Sequence, residues 1–220
     1  MNFNKIKQIM LKYRTLDLIF YVYDLTLMGA FRRYSTSIFY LKSWLRGVEV
    51  KSGYKIWGKV FIKKFPGSNI KIGENLFIVS SPLRYSLNIF PQTKLLTLSP
   101  EARIRIGDNV GFNSLTIMCR STSVSIGDRT LIGGNCQILD NDGHQLWPAV
   151  SRFSSPGIKF DEPVIIGKNV FIGLNVIILK GVEIGDNSII AAGSVVTSAI
   201  PADCVAAGAP ARVIKYNERK

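Results

Sequence analysis

Residues 164–197 read VIIGKNVFIGLNVIILKGVEIGDNSIIAAGSVVT, and their period is neither the 3.6 of a helix nor the 2 of a strand. Aliphatic residues return every six positions, at Ile166, Ile172, Ile178, Ile184, Ile190 and Val196. Four residues after each of the first five stands one small enough to turn inward: Val170, Val176, Val182, Ser188 and Ser194. Gly directly follows Ile166, Ile172 and Ile184, and Asn169, Asn175 and Asn187 come two residues after those glycines. Gly and Asn best tolerate left-handed backbone angles, so they mark corners. One inward aliphatic residue plus one corner makes one flat side of a coil. No single side can bury its apolar face alone, so successive coils must stack into a continuous core. The expected fold class is an all-β parallel solenoid.

The same phase reappears upstream at Ile126, Ile132 and Ile138, with Thr130 and Cys136 in the inward small positions. Weaker traces are Val50, Ile56 and Ile62, then Ile72 and Ile78; Ile-Gly pairs recur at 72, 106, 126 and 132, and corner asparagines at 75, 109 and 135. Two breaks in phase carry information. Ile106 to Ile126 is two residues longer than three hexads, which predicts a small bulge around 119–123. Ile138 to Ile166 is four residues longer than four hexads, so residues 140–162 must leave the coil as a loop. Loops on a rigid scaffold concentrate functional residues. The expected organisation is a helical extension over 1–48, a solenoid over 49–215 carrying loop 140–162, and a tail over 216–220.

The extension has a different composition. Ile6, Ile9, Met10, Tyr13, Leu16 and Phe20 follow helical spacing with Lys5, Lys7, Lys12 and Arg14 largely between them, which predicts a basic amphipathic helix, followed by a second helix over about 25–45. Its ten aromatic and eight basic residues face only Asp17 and Asp24. That mixture suits two tasks, capping the solenoid or a subunit contact on the one hand, and peripheral contact with an anionic membrane surface on the other. The two aspartates interrupt every run that approaches the length of a membrane span, and no secretory cleavage pattern follows. The expected location is cytoplasmic, with attachment at the inner face of the plasma membrane as the second possibility.

The net charge of +13 is dispersed along the solenoid without a nucleic-acid-binding motif, so no nucleic-acid partner is expected. Three scattered cysteines, Cys119, Cys136 and Cys204, exclude a complete disulfide scaffold and show no metal-type spacing. With one histidine, His144, a multi-histidine metal centre within the chain is excluded, and no metal is expected. Cys136 occupies an inward position, which argues against a thiol nucleophile. His144 lies within Asp140-Asn-Asp-Gly-His-Gln-Leu-Trp-Pro148, where Asp142 is placed to hold the imidazole in one tautomer and to stabilise its protonated form. From the residues alone, His144 is either that general base or an ordinary solvent-exposed loop histidine.

Residues 50–215 resemble the hexapeptide-repeat acyltransferases. The stretch 166–214, closing on Ala206-Ala-Gly-Ala-Pro-Ala-Arg-Val-Ile-Lys215, is most similar to the galactoside, maltose and polysaccharide O-acetyltransferase branch. The resemblance implies a left-handed β-helix, a hand that runs against the usual crossover rule. It also implies a homotrimer with acetyl-CoA bound between subunits and His144 as catalytic base. Matching cofactor positions are Leu174 and Ala192, through their backbones, with Thr197 and the cations Arg212 and Lys215 near the nucleotide phosphates. Acceptor contacts fall on Asn113, Asp140 and Trp147, with Phe153 in the same loop able to stack on a sugar. The implied activity is O-acetylation of a sugar hydroxyl in a bacterial surface polysaccharide (O-antigen or capsule) or its lipid-linked precursor. The alternatives are N-acetylation of an amino-sugar nucleotide and a non-catalytic solenoid binding module. Against the first, residues 1–50 contain no strand followed by a Gly-rich turn; against the second, a structural solenoid has no need of a histidine at this position.

Overall fold

A computed structural model of the chain describes residues 14–82, 84, 87, 89 and 92–216. The stacked coils form a prism with three faces of parallel strands. Face one runs through Glu49–Val50, Asn69–Ile72, Arg103–Ile106, Ser123–Ile126, Val164–Ile166 and Glu183–Ile184. Face two runs through Phe77–Ser80, Gly111–Asn113, Leu131–Gly134, Phe171–Ile172, Ile189–Ile190 and Cys204–Gly208. Face three holds Gln92–Thr97, Thr116–Cys119, Gln137–Leu139, Ile177–Ile178 and Val195–Val196. The long strand Lys55–Lys63 begins on face two and ends on face three, turning the corner at Gly58. The register stacks like on like: Ile166 lies beside Ile184, Ile172 beside Ile190, and Ile178 beside Val196.

The hexad positions line the interior as expected. Ile126, Ile132, Ile138, Ile166, Ile172, Ile178, Ile184, Ile190 and Val196 are all buried, as are Thr130, Cys136, Val170, Val176, Val182, Ser188 and Ser194. Each fully buried aliphatic side chain contributes about 1.5–3 kcal/mol of hydrophobic stabilisation. Asn75, Asn109, Asn135, Asn169, Asn175 and Asn187 all take left-handed angles at corners. Along one corner their side chains join from coil to coil: Asn75 Nδ2 donates to Asn109 Oδ1, Asn169 Nδ2 to Asn187 Oδ1, and Asn187 Nδ2 to Asp203 Oδ1. Arg129 takes the same left-handed angle, with φ of 60°, at the corner of the coil between Asn109 and Asn169. A left-handed conformation costs an ordinary L-residue about 1 kcal/mol, and Asn bears that cost best. Arg129→Asn is therefore expected to raise the unfolding free energy by about 0.5–1 kcal/mol, read as a higher denaturant midpoint, with no change in chemical activity.

The two phase breaks appear where the sequence places them. The loop closes at its base, where Glu162 N–H donates to Asp140 C=O at 3.0 Å. The extension differs from expectation. In place of two helices, one continuous helix, α1 (Thr15–Leu45), crosses the position of the predicted break. Neither Pro nor a Gly-Pro pair interrupts 21–27, and Asp24 is exposed, so nothing there stops the helix. The stretch 1–13, with most of the first amphipathic stripe, lies outside the described residues. The C-terminal half of α1 caps the first coil: Ser35, Phe39 and Ser43 are buried, and Ile56 N–H and Gly58 N–H donate to Thr36 Oγ1 and Ser35 Oγ. Tyr40 stacks on Tyr54 with ring centroids 5.1 Å apart. These contacts satisfy amides that a first coil, with no coil before it, would otherwise leave open. No described helix is long and apolar enough to cross a membrane.

Candidate active site

Loop 140–162 leaves the corner between faces three and one. Asp140, expected among the acceptor contacts, is fully buried and works inside the protein. Its Oδ1 accepts from Arg120 N–H and Asn141 Nδ2, and its Oδ2 from Ser121 N–H, Thr122 N–H and Thr122 Oγ1, all within 3.1 Å. Burial pushes this carboxyl up, but the hydrogen bonds outweigh it and hold the group below its ordinary value. Asp140 is thus the carboxylate around which the two-residue bulge at 120–122 is wound, and no lone pair remains for a sugar.

Asp142 also departs from expectation. Its carboxylate pairs with Lys180, and no hydrogen bond to the imidazole is present among the described residues. Lys180 Nζ also donates to Phe160 C=O at 2.8 Å, so it ties the two limbs of the loop together. A second tie is Arg120. Its Nε donates to Asp161 Oδ2 at 2.8 Å, its Nη2 meets Asp161 Oδ1, and its Nη1 donates to Gly143 C=O at 2.8 Å. The Asp161 side chain is almost entirely buried, and the two-pronged contact raises the Arg120 pKa. Ser121 Oγ donates to Asp161 as well. The peptide immediately before His144 is therefore fixed from below by a buried guanidinium, while the imidazole itself is exposed. Gly157 packs beneath the same point: a Cβ there would lie 2.8 Å from Gln145 N, and its φ of +68° is left-handed.

Beyond His144 the loop presents apolar side chains to solvent. Trp147 is 73% exposed, with the Arg152 guanidinium 5.4 Å from its ring, and Phe153 is fully exposed. The three thiols are buried. Burial pushes Cys136 up to about 11, and burial reinforced by Asp140 pushes Cys119 up to about 12, so neither is a nucleophile near neutrality.

The remaining expected positions fall on other edges of the prism. Leu174 and Ala192 stack at the corner between faces two and three, where Gly193 N–H donates to Leu174 C=O at 2.8 Å. Asn113, with its Oδ1 buried and unpartnered, sits at the same corner in an earlier coil. Arg212, opposite Ala207 in the closing hairpin of Cys204–Gly208 with Ala211–Tyr216, extends that corner, and Lys215 lies opposite Val205. Thr197 stands exposed at the other edge of face three, the corner from which the His144 loop leaves. One copy therefore places His144 and Thr197 on one edge of face three and Asn113, Leu174, Ala192 and Arg212 on the other. The outer surface between holds an open cavity of about 450 Å³ lined by Lys94, Ser114, Thr116, Asn135 and Gln137 among others.

Comparison with known proteins fits this frame. The hexapeptide repeat of succinyl-transferases matches residues 123–143 and 163–198, the two stretches on either side of the His144 loop. Together with the three-faced stack of parallel strands, this match makes the coil a left-handed parallel β-helix. The chain is 43% identical over 119 residues to a galactoside O-acetyltransferase of Escherichia coli, covering 54% of this chain and 57% of that one. It is 38% identical over 121 residues to the putative lipopolysaccharide biosynthesis O-acetyl transferase WbbJ of the same organism, covering 52% and 61%. The match thus spans little more than half the length of these curated relatives. Among solved structures, AntD, an N-acyltransferase from Bacillus cereus, shares the fold with a TM-score of 0.54 at 18% identity, covering 79% of this chain and 85% of that one.

Proposed function

We propose that this hexapeptide-repeat chain is an acetyl-CoA-dependent O-acetyltransferase acting on a sugar hydroxyl, in a bacterial surface polysaccharide or its lipid-linked precursor. The observation that carries the reading is the single exposed imidazole of His144, presented on a loop whose backbone is tied down by Arg120 and Lys180. Such immobilisation is what the positioning of a base requires. The likeness to sugar O-acetyltransferases supports the choice of acceptor.

His144 takes the proton of the acceptor hydroxyl as its oxygen attacks the thioester carbonyl of acetyl-CoA. A tetrahedral oxyanion forms, for which backbone N–H groups of the coil supply donors. The carbon–sulfur bond then breaks, the imidazolium returns its proton to the departing thiolate, and the acetyl ester and free coenzyme A leave. No covalent enzyme intermediate is required, in keeping with the buried, unionised thiols. The placement of these residues on two edges of face three supports a homotrimer as the active form, in which the His144 edge of one copy meets the Leu174–Ala192–Arg212 edge of the next. The pantetheine arm then lies along that corner, with Arg212 and Lys215 near the phosphates.

The test is coenzyme A release from acetyl-CoA with panels of sugars, lipid-linked oligosaccharides and amino-sugar nucleotides. Release that depends on a hydroxyl acceptor is the expected result. Release only with an amino-sugar nucleotide would replace this reading by the N-acetyltransferase one, and absence of any thermal shift at millimolar acetyl-CoA would leave a binding module.

A further inference from the structure

The face of α1 turned away from the solenoid has a composition that the capping role does not explain. Positions 16, 20, 23, 27, 30, 34, 37, 41 and 44 follow one another at alternating steps of four and three and so share one side of the helix. They are Leu, Phe, Tyr, Leu, Ala, Tyr, Ser, Leu and Trp, and all are exposed. None is acidic. The two carboxylates of the helix lie off this stripe: Asp17 and Asp24, both exposed, stand five and three turns before the buried Ser35. The helix is about 46 Å long at 1.5 Å per residue, and its N-terminal half has few described neighbours.

Alongside this stripe, between α1 and the first coil, is a cavity of about 430 Å³ lined by Arg32, Arg33, Lys55, Thr36, Ser37 and Tyr40 together with Gly53 and Tyr54, and by no acidic residue. Arg14 and Arg46 flank the two ends of the helix, and Lys5, Lys7 and Lys12 precede it in sequence. An exposed stripe of aromatic and aliphatic side chains with the carboxylates kept off it and cations at its margins is the arrangement of a helix that lies in a bilayer interface. A helical partner from a second copy fits less well. The flanking positions a coiled coil uses for ion pairs are Asp17, Ile19, Asp24, Thr26, Phe31, Arg33, Ile38, Tyr40 and Leu45; in a parallel pair Asp24 would meet Ile19 and Arg33 would meet Ile38, so no opposite charges come together, and Tyr40 already stacks on Tyr54.

We propose that α1 docks this protein in plane on an anionic phospholipid surface, with Leu16, Phe20, Tyr23, Leu27, Tyr34 and Trp44 entering the interface and the Arg32–Arg33–Lys55 cavity taking a lipid phosphate. The inference is independent of the acetyltransferase reading. The test is sedimentation of the full chain with vesicles of phosphatidylcholine alone and of phosphatidylcholine containing about 30% phosphatidylglycerol, a composition that sets up a negative surface potential. Binding to the anionic vesicles alone, weakened by added salt, is expected. The Phe20→Ser, Leu27→Ser double variant alters only exposed residues, and it should bind about tenfold or more weakly with an unchanged circular dichroism spectrum. Arg33→Glu with Lys55→Glu should weaken binding by a similar factor. Failure of the wild-type chain to sediment with anionic vesicles, equal binding to neutral ones, or full binding by the double variant would each overturn the proposal. Loss of a larger assembly in light scattering by that variant, without vesicle binding, would assign the stripe to a second copy.

Discussion

His144→Ala is expected to lower kcat for acceptor-dependent coenzyme A release by about 10²–10⁴-fold, the usual contribution of a positioned general base. The folded state should be untouched, because the imidazole is exposed and makes no hydrogen bond among the described residues that its removal could orphan. An unchanged thermal midpoint beside a collapsed rate is the signature of a residue that acts on substrate. A variant with near-native turnover would remove His144 from the chemistry and, with it, the argument from the tied-down loop. The cavity on face three and the corner of Leu174 and Ala192 are remote from the mutation within one copy, so acetyl-CoA affinity by calorimetry should move far less than the rate.

The opposite pattern is expected at Asp140. Asp140→Asn replaces one acceptor oxygen by an amide that confronts backbone N–H donors of the 120–122 bulge, and it removes the charge those donors were arranged around. The expected loss is about 3 kcal/mol, or roughly 10 °C in Tm. The pH dependence checks the cause. The carboxyl is held below its ordinary value in the folded state, so its stabilisation is fully present above the unfolded carboxylate pKa of about 4 and is lost as pH falls through the lower folded value. The stability gap between wild type and variant should therefore be widest near neutrality and should close in acid. A gap that stays constant with pH would show that shape and not charge is responsible. Because Asp140 C=O also receives Glu162 N–H at the base of the loop, the variant should lose rate in addition, through His144 and not through any contact of its own with substrate.

The prism was legible in the residues because a hexad repeat is a local code. Each Ile-Gly-x-Asn unit states which side chain turns inward and where the chain turns, and stacking multiplies one statement many times over. Both phase breaks were equally plain, since any extra residue shifts every later position. The function of the residues at those breaks was less plain. Asp140 and Asp142 look alike in sequence, two acids ahead of a histidine, yet one is swallowed by a bulge twenty residues upstream and the other is captured by Lys180 a coil above. Arg120 and Asp161 stand 41 residues apart in the chain, and no local pattern links them. In the helical extension Asp17 and Asp24 interrupt any run of spanning length, and only on the continuous helix do both fall off the exposed apolar stripe, which itself carries no charge.

The sequence by itself determined the solenoid, its corners, the position of the loop and the presence in it of the chain's one histidine, because all of these follow from periodicity and residue identity that need no partner. Only the tertiary structure decided which carboxylates are structural, how the loop is held, and on which edge of the prism each expected contact stands. Those properties depend on coils that meet by stacking, through hydrogen bonds between residues some 20 to 40 positions apart, and the distance between such residues exists only once the chain has wound.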